Sequence, residues 1–338
     1  MNKSSIFNFH LLVLLALVLV SCGPDNKHFA IDGQLLNLNQ GEFVIYSPDG
    51  AMDVVDTIVV NGGRLDYVGG CQREGTAIII LPNGQDIPVF IAPGKTFTIK
   101  GNAQSLKDVK ISGGKDNELM NSFRKDIASF PPTSTPTSKI KNLVKKNPQS
   151  VVCGYIVRHY LIEGANPDYI TAAALLDEMK KARPDDATLK VLYKQVTDIK
   201  NARVGCTIPT FSSKDIDGKA INSFSISNGI WIVSTFASWD YETIGRLRRI
   251  KGLKTERSTD WNILAVSLDG SKPACKNAMA YDAKDYTIVC DERMTEGDIV
   301  TKLAMKQFPF AVVVKDGKII KRSTMDENFM KYLKDELK

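Results

Sequence analysis

The sequence predicts a multi-domain α+β protein with an N-terminal antiparallel β-sandwich, a helical middle region and a C-terminal α/β domain. Three observations lead there. Residues 28–112 hold about seven short runs of β-branched and aromatic residues separated by turn residues. Residues 115–200 lose that pattern and take a helical one, punctuated by Asn166-Pro167-Asp168 and Arg183-Pro184-Asp185. Residues 203–338 alternate strand and helix patterns. The length, 338 residues, suits two or three cores, since one core serves roughly 100–200 residues.

The chain opens with a basic Met1-Asn2-Lys3 and a nearly unbroken apolar run, Phe9–Val20. A mature transmembrane helix needs about 20 apolar residues, so this run is short for one and fits the core of a secretory signal. It ends in Leu19-Val20-Ser21-Cys22-Gly23, which resembles a bacterial lipobox. The resemblance implies a signal peptide over 1–21, cleavage before Cys22, and acylation of that residue's thiol and new amine. Two or more acyl chains hold a protein on a membrane where one does not. Residues 22–27 then read as a lipidated tether, and the mature chain as exported and anchored to the bacterial cell envelope, at the periplasmic face or the outer membrane.

The β-sandwich is expected over 28–114. Its strands are Phe29–Leu36, Glu42–Tyr46, Val54–Val60, Arg64–Val68, Ala77–Leu81, Pro88–Ile91 and Thr96–Lys100. Gly62-Gly63 marks a tight hairpin, and Pro82-Asn83-Gly84 and Pro93-Gly94 mark further turns. The helical region is expected over 115–202, with helices at Asn117–Ser129, Lys139–Lys146, Ser150–Glu163, Asp168–Ala182 and Asp186–Lys200. Pro131–Ser138 reads as a loop. Ile170, Ala173, Ala174, Leu176 and Met179 fall on helical spacing and read as a packing face. Over 203–338, buried strands at Gly229–Ala237 and Trp261–Leu268 flank a helix at Glu242–Lys254. Helices at Lys272–Ala283 and Gly297–Lys306 follow, then strands Phe310–Val314 and Ile319–Arg322 around an Asp316-Gly317 turn, and a last helix at Asn328–Leu337. A strand-helix-strand unit of this kind makes a parallel pair.

Net charge is +6, from 44 basic and 38 acidic residues. The basic residues are scattered, and Lys180-Lys181 and Arg248-Arg249 are only short pairs, so they read as solvated faces and no nucleic-acid partner is expected. Beyond Cys22, five cysteines remain: Cys71, Cys153, Cys206, Cys275 and Cys290. No two are close in sequence, so at least one is expected as a buried thiol and no pairing is assigned. His28 and His159 lie far apart, with no metal spacing, and no phosphate loop is present, so no metal and no cofactor are expected.

The motifs of the last third are more specific. Val204-Gly205-Cys-Thr-Ile-Pro209-Thr-Phe211 precedes Asp217-Gly218-Lys219. Phe236-Ala-Ser-Trp239 follows the buried strand, and Phe308-Pro309-Phe310 precedes Val312–Val314. In that order, over about 135 residues, they resemble the TlpA/ResA-like thioredoxin family. The resemblance implies a thioredoxin-like domain over 203–338 and a cis peptide bond before Pro309. It also implies two catalytic cysteines at positions held here by Asp240 and Thr243, neither of which forms a thiolate. The family's first cysteine is activated at a helix N-terminus and the second resolves the mixed disulfide. Asp240 reads instead as a helix cap, with Glu242 adding favourable charge in the first turn. Phe29–Gly33, Asp56–Val60 before Gly62-Gly63, Phe90–Gly94 and Val109–Gly113 resemble a domain of unknown function that precedes thioredoxin-like domains in lipoproteins of Bacteroidota-type bacteria.

Two functions are expected from these residues. The first is a redox-inactive envelope lipoprotein that binds or scaffolds a protein or peptide by strand addition beside Pro309, with Trp239, Tyr241 and Phe308 as aromatic anchors. The second is a thiol-disulfide oxidoreductase working through a displaced thiol, for which Cys275 and Cys290 are the candidates.

Overall fold

The computed structural model describes residues 23–131, 134–164, 166–256 and 260–337. Cys22 and the expected signal peptide 1–21 lie outside the described residues. Among the described residues, no helix is long and apolar enough to cross a membrane. The chain divides into two compact units, Met1–Val191 and Leu192–Lys338.

In the first unit eight strands form one continuous sheet, ordered β6-β5-β2-β3-β4-β1-β7-β8. They are β1 His28–Leu36, β2 Gln40–Tyr46, β3 Asp56–Asn61, β4 Arg64–Gly70, β5 Gly75–Ile80, β6 Asp86–Ile91, β7 Thr96–Asn102 and β8 Ser105–Ser112. Buried and outward-facing residues alternate strictly in β1 and β4, which puts one face inward, and Ile31, Phe43, Val60, Leu65, Val89 and Ile99 from six strands meet in one core. The Gly62-Gly63 hairpin forms as its residues predict, both at positive φ (59° and 73°). A Cβ at Gly63 would stand 2.3 Å from the Leu35 carbonyl oxygen.

Two features differ from the sequence reading. β1 pairs antiparallel with β4 along one edge but parallel with β7 along the other, Ile31 opposite Phe97. Alternation specifies which face is buried and not which strand is the neighbour. β8 was not expected, because Ser105-Leu-Lys-Asp-Val-Lys-Ile-Ser112 carries too few apolar residues to signal a strand alone; it forms by pairing with β7.

Helix α1, Lys115–Ile127, closes the sheet's two edge strands. Asn117, 1% exposed, accepts the Phe90 N–H of β6 at 3.0 Å and donates to its carbonyl at 2.8 Å. One turn on, Asn121 accepts from the Ile111 N–H of β8 at 3.3 Å and donates to its carbonyl at 2.6 Å. Two asparagine side chains thus pair edge groups that would otherwise invite another strand. The helices α2 Thr137–Lys146, α3 Val151–Ile156 and α4 Tyr169–Ala182 follow, and α3 runs on as a π-helical turn, Val157–Ile162. Asp168 caps α4 by accepting the Thr171 N–H at 3.0 Å. The buried face of α4 is Ala172, Ala173, Leu175, Leu176 and Met179, while Ile170 and Ala174 of the expected stripe are exposed. Ile170 sits in the first turn, and helical side chains lean back toward the N-terminus, past the packed surface. Helix α5, Ala187–Asn201, carries the boundary between the units.

The second unit has a five-stranded sheet ordered β13-β12-β11-β14-β15. β11 Ile230–Phe236, β12 Asn262–Ser267 and β13 Thr287–Val289 are parallel; β14 Phe310–Lys315 and β15 Lys318–Thr324 complete it in antiparallel fashion. A small β9–β10 ribbon, Ser212–Lys214 with Ala220–Asn222, precedes it. Helices α6 Tyr241–Glu256, α7 Lys272–Ala278, α8 Asp298–Lys302 and α9 Glu327–Asp335 cover the sheet. Alternate residues of β11 feed two cores: Ile232 and Phe236 join Leu247, Trp261 and Phe329, whereas Val233 joins Leu264, Phe211 and Leu303. This is a thioredoxin-like α/β domain. β13 was not expected, since three residues give no periodic signal, and α7 and α8 end before the sequence pattern does, at Ala278 and Lys302.

Candidate functional site

The site is built where β11 and β12 end side by side. β11 is mostly apolar because both its faces are buried, Ser234 and Thr235 being its polar residues, and it runs parallel to β12 with Phe236 opposite Ser267. Beyond Phe236 the chain turns at Ala237-Ser238-Trp239. That turn is held by Asp269, 5% exposed, just past the end of β12. The Ser238 N–H donates to both Asp269 carboxylate oxygens at 3.1 Å, and the Ser238 hydroxyl donates to Oδ1 at 2.7 Å. The Ser267 hydroxyl donates to Oδ2 at 2.6 Å and accepts the Asp269 N–H at 3.0 Å. A buried carboxylate with three donors of its own is tied firmly in place.

The next residues start α6. Asp240 Oδ1 accepts the N–H of Glu242 at 3.1 Å and of Thr243 at 3.4 Å, and the Thr243 hydroxyl donates to Asp240 Oδ2. Thr243 is fully buried. The carboxylate therefore stands at the positive end of the helix dipole and satisfies two of its first free N–H groups. The Asp240 and Thr243 side chains are thus bonded to each other as a cap.

Facing this turn is the Phe308–Pro309 bond, which is cis. The segment is pinned to β11 by Thr235, whose Oγ1 accepts the Phe310 N–H at 3.0 Å and donates to the Phe310 carbonyl at 3.3 Å. Among the described residues, neither the N–H nor the carbonyl of Phe308 has a hydrogen-bond partner. The Trp239 and Phe308 rings meet with centroids 5.2 Å apart, tilted by 44°. Trp239 is 64% exposed and Tyr241 83%. Phe310 packs against the core and under Arg322, whose guanidinium lies 5.3 Å from the ring centre.

The structure thus brings Trp239, Phe308 and Pro309 together, and Asp240 with Thr243. Tyr241 stands on the exposed surface at the first turn of α6. Cys275 and Cys290 lie behind the turn, fully buried in one core. Burial, with Cys290 adding to it, pushes the Cys275 thiol up to about 12. Such a thiol is almost wholly protonated at neutral pH and is no exposed nucleophile. Cys153 is likewise pushed up to about 12 by burial. Among the described residues no cluster of three or more His, Cys, Asp and Glu side chains is placed to hold a metal. His159 stacks on Tyr155 in the first unit, with ring centroids 5.4 Å apart.

Sequence reasoning missed Asp269. The available signal was positional: Ser267-Leu-Asp269 ends a strand parallel to β11, and ligand-side loops of parallel sheets collect at those carboxyl ends.

A family model described as a domain of unknown function, DUF4369, matches residues 29–120, which span β1 to β8 and the start of α1. Among curated proteins, none matches the chain. Among solved structures, the chain is similar to a thiol-disulfide oxidoreductase from Bacteroides fragilis, with 23% identity, 39% of this chain and 99% of that chain covered, and a TM-score of 0.35. It is similar to the thioredoxin domain of a thiol-disulfide oxidoreductase from Bacteroides vulgatus, with 17% identity, 40% and 99% covered, and a TM-score of 0.34. It is similar also to a thioredoxin-like protein from Bacteroides caccae, with 12% identity, 60% and 78% covered, and a TM-score of 0.42.

Proposed function

We propose that this chain is an exported, lipid-anchored protein of the bacterial cell envelope whose thioredoxin-like domain binds an extended peptide or protein segment and has no dithiol activity. The observation that carries this reading is the cap. Asp240 and Thr243 fill the two helix-start positions, and their polar atoms are spent on each other and on the α6 N–H groups. A binding role is supported by the neighbouring surface. The Phe308 N–H and carbonyl are unpaired among the described residues, which suits main-chain pairing with an added strand. Trp239 and Phe308 beside them supply apolar and aromatic contact area for alternate side chains of that strand. Export and anchoring rest on the Leu19–Cys22 motif.

The test is disulfide-exchange turnover on a fluorescent disulfide with excess dithiol reductant, beside a Cys-x-x-Cys thioredoxin. The natural chain is expected to show none above background. The double variant Asp240→Cys with Thr243→Cys is expected to gain turnover, because the new thiols would stand at the helix N-terminus. Turnover by the natural chain that disappears in Cys275→Ser or Cys290→Ser would refute the reading in favour of a displaced-thiol enzyme. Cleavage and acylation at Cys22 would show as mass added to the N-terminal peptide and its loss in Cys22→Ala.

A further inference from the structure

The register of β12 on β13 sets Ala265 opposite Ile288 and Val266 opposite Val289, so the next step brings Cys290 beside Ser267. Ala265, Ile288 and Cys290 share one face of the sheet, and Cys275 of α7 lies in the same core over it. Cys290 Sγ lies 3.8 Å from the Asp269 carbonyl oxygen, to which it donates. The other described cysteines stand elsewhere: Cys71 in the β-sheet core, Cys153 in α3, and Cys206 partly exposed near the Lys200 carbonyl. Of the five, Cys275 and Cys290 are the two that share one hydrophobic core.

We infer that Cys275 and Cys290 form a redox-sensitive pair that closes to a disulfide tying α7 to the end of β13, directly behind the Ser238–Trp239 turn. Closure joins the two Sγ atoms and breaks the S–S bond of an external disulfide. Two electrons pass to that oxidant, and the two thiol protons end on the pair of thiols it releases. Burial of both sulfurs keeps solvent oxidants out of the folded core, so the bond forms as the chain folds or opens locally and is then protected from reduction. It also costs the Cys290 thiol its proton and so removes the hydrogen bond to the Asp269 carbonyl. The redox state of the pair thereby reaches the residue that holds Ser238. The inference does not rest on the binding reading, because neither sulfur faces the Trp239–Phe308 surface.

The experiment uses the full chain and glutathione disulfide as probe, once on native protein and once during refolding from urea. Remaining thiols are alkylated under denaturing conditions, and the unreduced digest is read by mass spectrometry. The expected result, in at least the refolded sample, is a cross-linked Cys275–Cys290 peptide lighter by two hydrogens, with Cys71, Cys153 and Cys206 alkylated. The refolded, oxidised protein should keep the tryptophan emission and circular dichroism of the reduced one. Alkylation of both cysteines in both samples, separate glutathione adducts on each, or bonds to Cys71, Cys153 or Cys206 would overturn the inference. So would a Cys275–Cys290 bond found only in protein that has lost its native spectra. The single variants Cys275→Ala and Cys290→Ala should each lose the cross-link and leave the remaining thiol free.

Discussion

The substitution Asp269→Ala bears most directly on how the site is held. Asp269 is 5% exposed and serves three donors: the Ser238 N–H, the Ser238 hydroxyl and the Ser267 hydroxyl. A hydrogen bond to a charged group contributes about 1.5–3 kcal/mol, and a buried N–H left without an acceptor costs about 1–3 kcal/mol. The two hydroxyls can rotate toward other acceptors, so the whole is less than three full bonds, and the expected loss is about 3–5 kcal/mol. Asp240→Ala removes a cap at the protein surface and should cost about 1–2 kcal/mol. Urea unfolding followed by tryptophan fluorescence isolates the relevant unit, because Trp231, Trp239 and Trp261 all belong to Leu192–Lys338. The order Asp269→Ala worse than Asp240→Ala is the point at issue. Equal losses, or an unchanged midpoint for Asp269→Ala, would show that the turn is held by its own backbone and that the buried carboxylate is incidental.

Other outcomes follow from the same geometry. Asn117→Ala should strip both edge bonds from Phe90 and cost about 2–4 kcal/mol, with faster hydrogen exchange at the Phe90 amide than in the natural chain. Closing the Cys275–Cys290 pair spans 15 residues (290 − 275) and should stabilise the tryptophan-bearing unit by about 3 kcal/mol, a difference that Cys290→Ala abolishes in urea midpoints with and without reductant. Two caps set an acid-side loss. The Asp326 carboxyl is held below its usual value by the Phe329 N–H and the Thr324 hydroxyl; at Asp168, burial acts upward but the Thr171 bonds outweigh it. Groups depressed on folding stabilise above their unfolded value and lose that contribution as pH falls through the folded one, so stability should decline from about pH 4 downward. Asp326→Asn should flatten that decline in tryptophan-monitored melts, and an unchanged slope would refute its assignment.

Much of the fold was legible in the sequence where a local pattern and the tertiary outcome agree. Alternation in Phe29–Leu36 and Arg64–Val68, the Gly62-Gly63 turn and the apolar Gly229–Ala237 run each name their own element, because each buries what its pattern says. What stayed hidden depends on partners. β8 is polar enough to read as loop, yet it pairs with β7 and is closed off by Asn121 of α1. β13 is three residues long and exists through β12. The parallel use of β1 by β7 leaves no local mark at all, since a strand's alternation is the same whichever way its neighbour runs.

The site divides along the same line, and the division says what kind of site it is. The cap was readable because an N-cap is local chemistry: Asp240 reaches N–H groups two and three residues ahead. Asp269 was not, because its partners Ser238 and Ser267 come together only when two parallel strands end level. A turn with no role would be free to relax. Here the turn is braced from behind by a buried carboxylate, its helix start is capped by Asp240, and Thr235 pins the facing Phe310 backbone to β11. For the proposed binding role, holding the turn and the Phe310 segment in place while Trp239 stays exposed and the Phe308 backbone is unpaired among the described residues would favour affinity, since affinity improves when the ordering cost is met before the ligand arrives. On that logic Asp269→Ala should loosen Trp239 as well as lower stability. Time-resolved anisotropy of a variant in which Trp231 and Trp261 are replaced by Phe would read it as faster local motion of Trp239. Unchanged motion would separate the brace from the surface and leave Asp269 a purely structural residue.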